Sequence, residues 1–203
     1  AGVTLDFINE DNLLDIAAAT ADSVYVITNL SNRNFVIESY PLNPGKQAST
    51  AGLKRGRTSP VPSVSTGYFD GDEFLDIAVS PNYLFAGSGT SLITPLPSPP
   101  QSFEAMAVCD VNGDNVDDFA GLTGDSAKLM VNNGLASYSQ SASVFLGSIS
   151  STAPKHILAG DFNADGNWDV VSLFTYADSG FSAVMVIYGN GAGAIQDTDR
   201  LVI

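Results

Sequence analysis

Histidine and cysteine occur once each in the 203 residues, as His156 and Cys109. A single cysteine excludes an internal disulfide. A single histidine, with no Gly-x-Ser-x-Gly elbow anywhere, leaves no recognisable nucleophile–base pair, so the chain reads as a non-enzyme. His156 lies in a short apolar stretch and reads as a packing or surface residue. Cys109 reads as a buried, inert thiol. Charge is also scarce, at 15% of residues, against about 25% in an average globular protein. Bases are the rarer sign: 8 Lys and Arg against 22 Asp and Glu, for a net charge of −14. That balance disfavours nucleic acid and anionic membranes as partners and favours cations. No run of about 18 apolar residues exists, so no membrane-inserted helix is expected. The opening Ala1-Gly2-Val3-Thr4 lacks a basic and an apolar leader region, so a signal peptide is either removed or never made. No segment carries a useful 3.6-residue helical period.

Acidic loops are present, and they repeat. In Asp161-Phe162-Asn163-Ala164-Asp165-Gly166-Asn167-Trp168-Asp169, oxygen-bearing side chains occupy positions 1, 3, 5 and 9. Alternate residues of a short loop can point inward at one hard cation, and Ca²⁺ takes six to eight oxygens. Asp110, Asn112, Asp114 and Asp118 repeat the set in full. Two further loops keep three of the four positions: Asp70, Asp72 and Asp76 after Tyr68, and Asn9, Asp11 and Asp15 after Phe7. Without a metal, such acids can cap backbone N–H groups as Asx turns. Three acids crowded together repel, which favours a cation. Position 6 suits residues that tolerate a positive φ; Asn12, Asn115 and Gly166 fit, and Glu73 does not. Asp6 is a substitute ligand for the first loop if its register slips by one residue.

The loops start at residues 7, 68, 110 and 161, and each sits in the same setting. A short apolar stretch precedes it: 3–5, 61–64, 105–108 and 156–159. An apolar run follows the closing Asp, then a second alternating segment, then a weaker strand: 34–37, 91–93, 142–146 and 199–203. The pattern is strand, loop, strand, strand, strand, repeated at blade-sized intervals. The chain therefore reads as all-β: a β-propeller of four blade-like four-stranded repeats, spanning approximately 1–57, 58–100, 101–150 and 151–203. It forms either a closed four-unit ring or half of a larger propeller. Two proline-rich segments, 41–66 and 94–102, read as extended surface connections. The first carries Lys54-Arg55-Gly56-Arg57, which reads as a solvated loop, with protease sensitivity or docking to an acidic patch as alternatives.

The string Gly160-Asp161-Phe162-Asn163-Ala164-Asp165-Gly166-Asn167-Trp168-Asp169-Val170-Val171 resembles the hallmark of FG-GAP/VCBS repeats, the blades of integrin-α-like β-propellers, fungal lectins and secreted microbial proteins. The turn Tyr188-Gly189-Asn190-Gly191-Ala192-Gly193 is similar to a later part of the same repeat. The resemblance implies Ca²⁺ in the loops, with the position 7 backbone carbonyls of Val116 and Asn167 as further ligands. Loops three and four are expected to bind. Loop two is a weaker candidate, and loop one reads as a metal-free hairpin. The resemblance also implies a secreted or cell-surface, calcium-stabilised, lectin-like or adhesive module. Its partners are then carbohydrate or an extracellular protein, and a homo-oligomer or partner chain can complete the propeller. The alternatives are a structural subunit of an extracellular complex and a non-catalytic domain of an extracellular enzyme. Trp168 reads as packing between blades, or as a sugar-stacking ring if exposed. Tyr68, Phe69, Tyr83, Phe85 and Tyr176 read mainly as fillers between blades.

Overall fold

The computed structural model describes residues 2–42, 62–90, 93–134, 136–153 and 155–203. The described residues hold sixteen strands and no helix. Blade 1 comprises β1 (Gly2–Asp6), β2 (Asp15–Ala19), β3 (Ser23–Asn29) and β4 (Phe35–Pro41). Blade 2 comprises β5 (Val64–Gly67), β6 (Asp76–Val79), β7 (Tyr83–Ala86) and β8 (Thr94–Pro95). Blade 3 comprises β9 (Ala105–Cys109), β10 (Asp118–Thr123), β11 (Ser126–Asn132) and β12 (Tyr138–Phe145). Blade 4 comprises β13 (His156–Gly160), β14 (Asp169–Thr175), β15 (Ser182–Gly189) and β16 (Ile195–Val202). Each blade is an antiparallel meander paired in sequence order, and the whole is arranged as a four-bladed β-propeller.

Burial shows which blades are sandwiched. All of β6 and five of the six residues of β10 are buried, because blades 2 and 3 have a neighbour on both faces. A strand covered on both faces reads as a continuous apolar run. In blades 1 and 4 buried positions alternate with partly exposed ones, as in β2 and β15. Three apolar clusters fill the spaces between successive blades. Ala17, Val26, Ile77 and Phe85 join blades 1 and 2. Phe69, Phe119 and Met130 join blades 2 and 3. Leu122, Leu129, Phe174 and Ile187 join blades 3 and 4. The innermost strands β1, β5, β9 and β13 line a central cavity of about 570 Å³.

Several expected strands shift, and the last strands of blades 1 and 3 are longer than expected, at Phe35–Pro41 and Tyr138–Phe145. The first strand of blade 2 starts at Val64 rather than at residue 61, because Pro62 has no N–H to give a ladder. Its last strand is Thr94–Pro95, whereas Ser91 and Leu92 lie outside the described residues. Proline is tolerated there because β8 is the edge strand and pairs only with β7. In blade 4 the last strand starts at Ile195, four residues earlier than expected. The basic run at 54–57 also lies outside the described residues.

The tightest joint is aromatic. Phe69 of blade 2 meets Phe119 with ring centroids 4.8 Å apart, and Phe119 meets Tyr138 at 4.9 Å. Phe119 is fully buried. Phe119→Ala should therefore destabilise the fold by about 3–5 kcal/mol. Urea unfolding checks this, and a loss below about 1 kcal/mol would refute the joint's importance.

Candidate functional site

All four acidic loops join the first and second strands of a blade, so the meander puts them on one rim. Their closing aspartates, Asp15, Asp76, Asp118 and Asp169, are completely buried. Each spreads its two oxygens between two backbone amides. One amide comes from the start of its own loop: Asn9 N at 3.2 Å, Phe69 N at 2.7 Å, Val111 N at 3.0 Å and Phe162 N at 2.9 Å. The other comes from the end of the blade's third strand or just beyond it: Asn29 N at 2.8 Å, Gly87 N at 2.8 Å, Asn132 N at 2.7 Å and Gly189 N at 3.0 Å. The closing Asp is thus a backbone clamp, whatever else it binds.

The partner on the third strand is the functional residue that sequence reasoning missed. It lies 14, 11, 14 and 20 residues beyond the Asp, so no fixed spacing marks it. Its identity alternates for a steric reason. A Cβ on Gly87 or Gly189 would sit 2.1 or 2.2 Å from the carbonyl oxygen of Leu75 or Trp168, at loop position 8. In blades 1 and 3, Asn29 and Asn132 instead donate their side-chain amides to the equivalent carbonyls of Leu14 and Asp117, at 3.4 and 3.2 Å.

Above the clamp runs a ladder common to all four loops. The position 5 amide donates to the position 3 side chain, as Asp114 N does to Asn112 at 3.1 Å and Asp165 N to Asn163 at 2.9 Å. The position 7 amide donates to the position 5 carboxylate: Leu13 to Asp11, Phe74 to Asp72, Val116 to Asp114 and Asn167 to Asp165, all at 2.8–2.9 Å. These bonds hold the Asp165 carboxyl below its ordinary range, the Asn167 amide acting most strongly. Position 4 has a positive φ in every loop, at Glu10, Gly71, Gly113 and Ala164. Position 6 is also positive at Asn12, Asn115 and Gly166. The glycines at 71 and 113 were the legible signal for position 4.

The loops then diverge. Asp110 and Asp161, at position 1, fold back over the amides of positions 4 to 6: Asp110 accepts from Gly113 and Asn115, and Asp161 from Asp165 and Gly166. At position 3, Asn9, Asn112 and Asn163 each donate a side-chain N–H to the position 5 Asp at 2.9 Å. Loop two has Asp70 at that place, which has no side-chain N–H to donate to Asp72, although the Asp72 backbone amide donates to Asp70 at 3.1 Å. Asp70, Asp72 and Asp76 each offer an oxygen within 4.8 Å of the others, the one three-carboxylate group of this kind among the described residues. Oxygens on opposite sides of a Ca²⁺ at about 2.4 Å lie about 4.8 Å apart, so this donor set fits a hard cation. Tyr68 therefore does not disqualify loop two. Its amide donates to Asp117 of the next blade at 2.7 Å. Asp6 accepts a 2.6 Å bond from Thr66 of the next blade, and its other oxygen accepts from Phe7 N.

Burial raises the Asp76 carboxyl to about 6 and the Asp118 carboxyl to about 7. Burial also pushes the Cys109 thiol far above its usual range, as expected of an inert cysteine. His156 is exposed on β13. Trp168 is 42% exposed and Tyr68 is 44% exposed, so neither is a plain filler between blades, whereas Phe69 and Phe85 are buried.

Two outcomes follow. Asp118→Asn keeps one acceptor but aims an N–H at the second backbone amide, and should cost about 1–3 kcal/mol. The native carboxyl titrates near 7 and the unfolded one near 3.8, so the native state holds the proton more tightly. This contribution is fully present below about 4 and is lost as pH rises to about 7. The stability gap between wild type and Asp118→Asn in EDTA should narrow across that window; a constant gap would refute the assignment. Separately, Asp72→Ala should remove about 1 kcal/mol of calcium-dependent stability and change little in EDTA. Equal melting-temperature losses in both conditions would rule out metal at loop two.

Residues 110–172 match a family model described as FG-GAP-like repeat. No curated protein matches the chain. Among solved structures, an Agrocybe aegerita lectin that recognises non-reducing terminal N-acetylglucosamine is similar, with a TM-score of 0.59 and 17% identity. That match covers 97% of this chain and 51% of the lectin chain, so the chain spans about half the lectin's length. The Photorhabdus luminescens Tc holotoxin pore is also similar, with a TM-score of 0.53 and 11% identity over 97% of this chain and 9% of that one. The protein is a four-bladed β-propeller whose residues 110–172, from the third acidic loop into β14, match the FG-GAP-like repeat model.

Proposed function

We propose that this propeller is a secreted or cell-surface carbohydrate-binding module, stabilised by Ca²⁺ and acting by binding rather than catalysis. The observation that carries the reading is the loop rim, where the exposed rings of Tyr68 and Trp168 stand within acidic loops. An aromatic face covers the C–H face of a sugar, while carboxylate and amide oxygens accept its hydroxyls. Asp72, Asp114 and Asp165 are exposed on the same rim. The likeness to a lectin supports the reading at the level of the fold alone. In this reading Ca²⁺ sits with Asp70, Asp72 and Asp76 and stiffens the rim without touching the sugar.

A glycan array probed with the 203-residue chain tests this. Specific binding should fall at least about tenfold in Trp168→Ala at unchanged melting temperature, as for loss of one stacking platform. EDTA should weaken it. An array without any bound glycan, or binding indifferent to both Trp168→Ala and Tyr68→Ala, would overturn the proposal.

A further inference from the structure

Between blades 2 and 3 the chain runs Thr94-Pro95-Leu96-Pro97-Ser98-Pro99-Pro100. Each of these seven residues is a proline or directly precedes one. Proline fixes its own φ at about −65°, and the residue before it is driven out of the helical region. Local sterics therefore hold the whole stretch extended, near the polyproline II conformation. Burial follows suit and recurs at every third residue. Ile93 and Pro99 are buried, and Leu96 is partly buried against the cluster of Phe69, Phe103 and Met130. Thr94, Pro97 and Pro100 are exposed, and so are Pro95 and Ser98. A polyproline II helix has three residues per turn, so Ile93, Leu96 and Pro99 form one inward edge. Thr94, Pro97 and Pro100 form a second edge, in solvent. A continuing β-strand would alternate every second residue instead.

The stretch is pinned on both sides. Thr94 and Pro95 pair with β7, and the Leu96 amide donates to the Leu84 carbonyl at 2.9 Å. Further on, the Phe103 amide donates to the Pro81 carbonyl at 2.6 Å. The Phe103 ring lies flush on blade 3, where a Cβ on Gly121 would sit 2.2 Å from it. Pro81 belongs to the β6–β7 turn, so this anchor is on the rim opposite the acidic loops. Among the described residues, no hydrogen bond reaches the carbonyls of Pro97, Ser98, Pro99 or Pro100. A row of proline rings and open carbonyl acceptors is thus held in order on the surface.

We propose that residues 94–100 are a docking strap for a protein domain whose aromatic-lined groove takes polyproline II segments. Pro97 and Pro100 stand one helical turn, about 9 Å, apart on the same exposed edge. Two ring-walled pockets at that spacing receive one proline each, and N–H or O–H groups of the groove donate to the open carbonyls. Other modes of peptide recognition fit less well. Strand addition needs a row of free N–H groups, and the four prolines have none. An Arg-rich acceptor needs acidic groups, and the strap carries no charge. The inward edge fixes the strap before a partner arrives, which lowers the ordering cost of binding.

Titration of the 203-residue chain against three purified proline-recognising domains, of the WW, SH3 and EVH1 classes, tests the proposal. They serve as probes of groove chemistry. At least one should bind saturably, and a free oligoproline peptide should displace it. Pro97→Ala and Pro100→Ala should each weaken that binding about tenfold or more, with little change in melting temperature. Circular dichroism checks that each variant is folded, and Pro97→Ser or Pro100→Ser replaces one that is not. The proposal is overturned if none of the domains binds at concentrations where oligoproline saturates them. Binding indifferent to both substitutions also overturns it. So does a fall in melting temperature without any binding, the mark of prolines that only stiffen the connection.

Discussion

A carboxylate buried among backbone amides is the constraint on which the rest of each blade depends. Asp15, Asp76, Asp118 and Asp169 have no contact with solvent, yet each is met by at least two N–H donors. An unpaired carboxylate in that place would carry a heavy desolvation cost. The amides are equally dependent, because a loop amide and the amide closing the third strand have no other partner in the ladder. One side chain thus fixes the entry of the loop, the start of the second strand and the end of the third. The identity of the last residue, Gly or Asn, follows from how closely it approaches the carbonyl at loop position 8.

The acidic ladder builds on that clamp, and one atom decides its character. With Asn at position 3, an N–H lies between the two oxygen-bearing side chains and relieves their repulsion. With Asp70 there, no side-chain N–H relieves the repulsion, and protonation or a cation would. The rise of the Asp76 carboxyl has burial as its main cause, with the Asp70 charge adding to it. Loop two therefore brings three carboxylates close together, although it lacks an acid at position 1.

Much of the fold was legible from sequence. Four loops at positions 7, 68, 110 and 161, each followed by alternating apolar residues, were enough to place the strand order. Both misplaced strands of blade 2 lie where a proline, Pro62 or Pro95, competes with the apolar pattern. The site was less legible. Counting ligand types ranked loops three and four first, because Asp110 and Asp161 fill position 1. In three dimensions those two carboxylates turn onto their own backbone, while the acids of loop two converge. Backbone capping and metal ligation ask for the same residues at the same spacing, so sequence alone does not separate them. The exposure of Trp168, 42%, was equally hidden, since sequence leaves both a packed and an exposed ring open.

The locality of the clamp bears on how such a chain is made. Every strand pairing lies within one meander, and every clamp spans 20 residues or fewer. Low contact order favours fast formation of each blade in turn, in the manner of a repeat array. During synthesis, however, the newest blade always presents an apolar face awaiting its successor. Such a growing edge invites misassembly between neighbouring nascent chains.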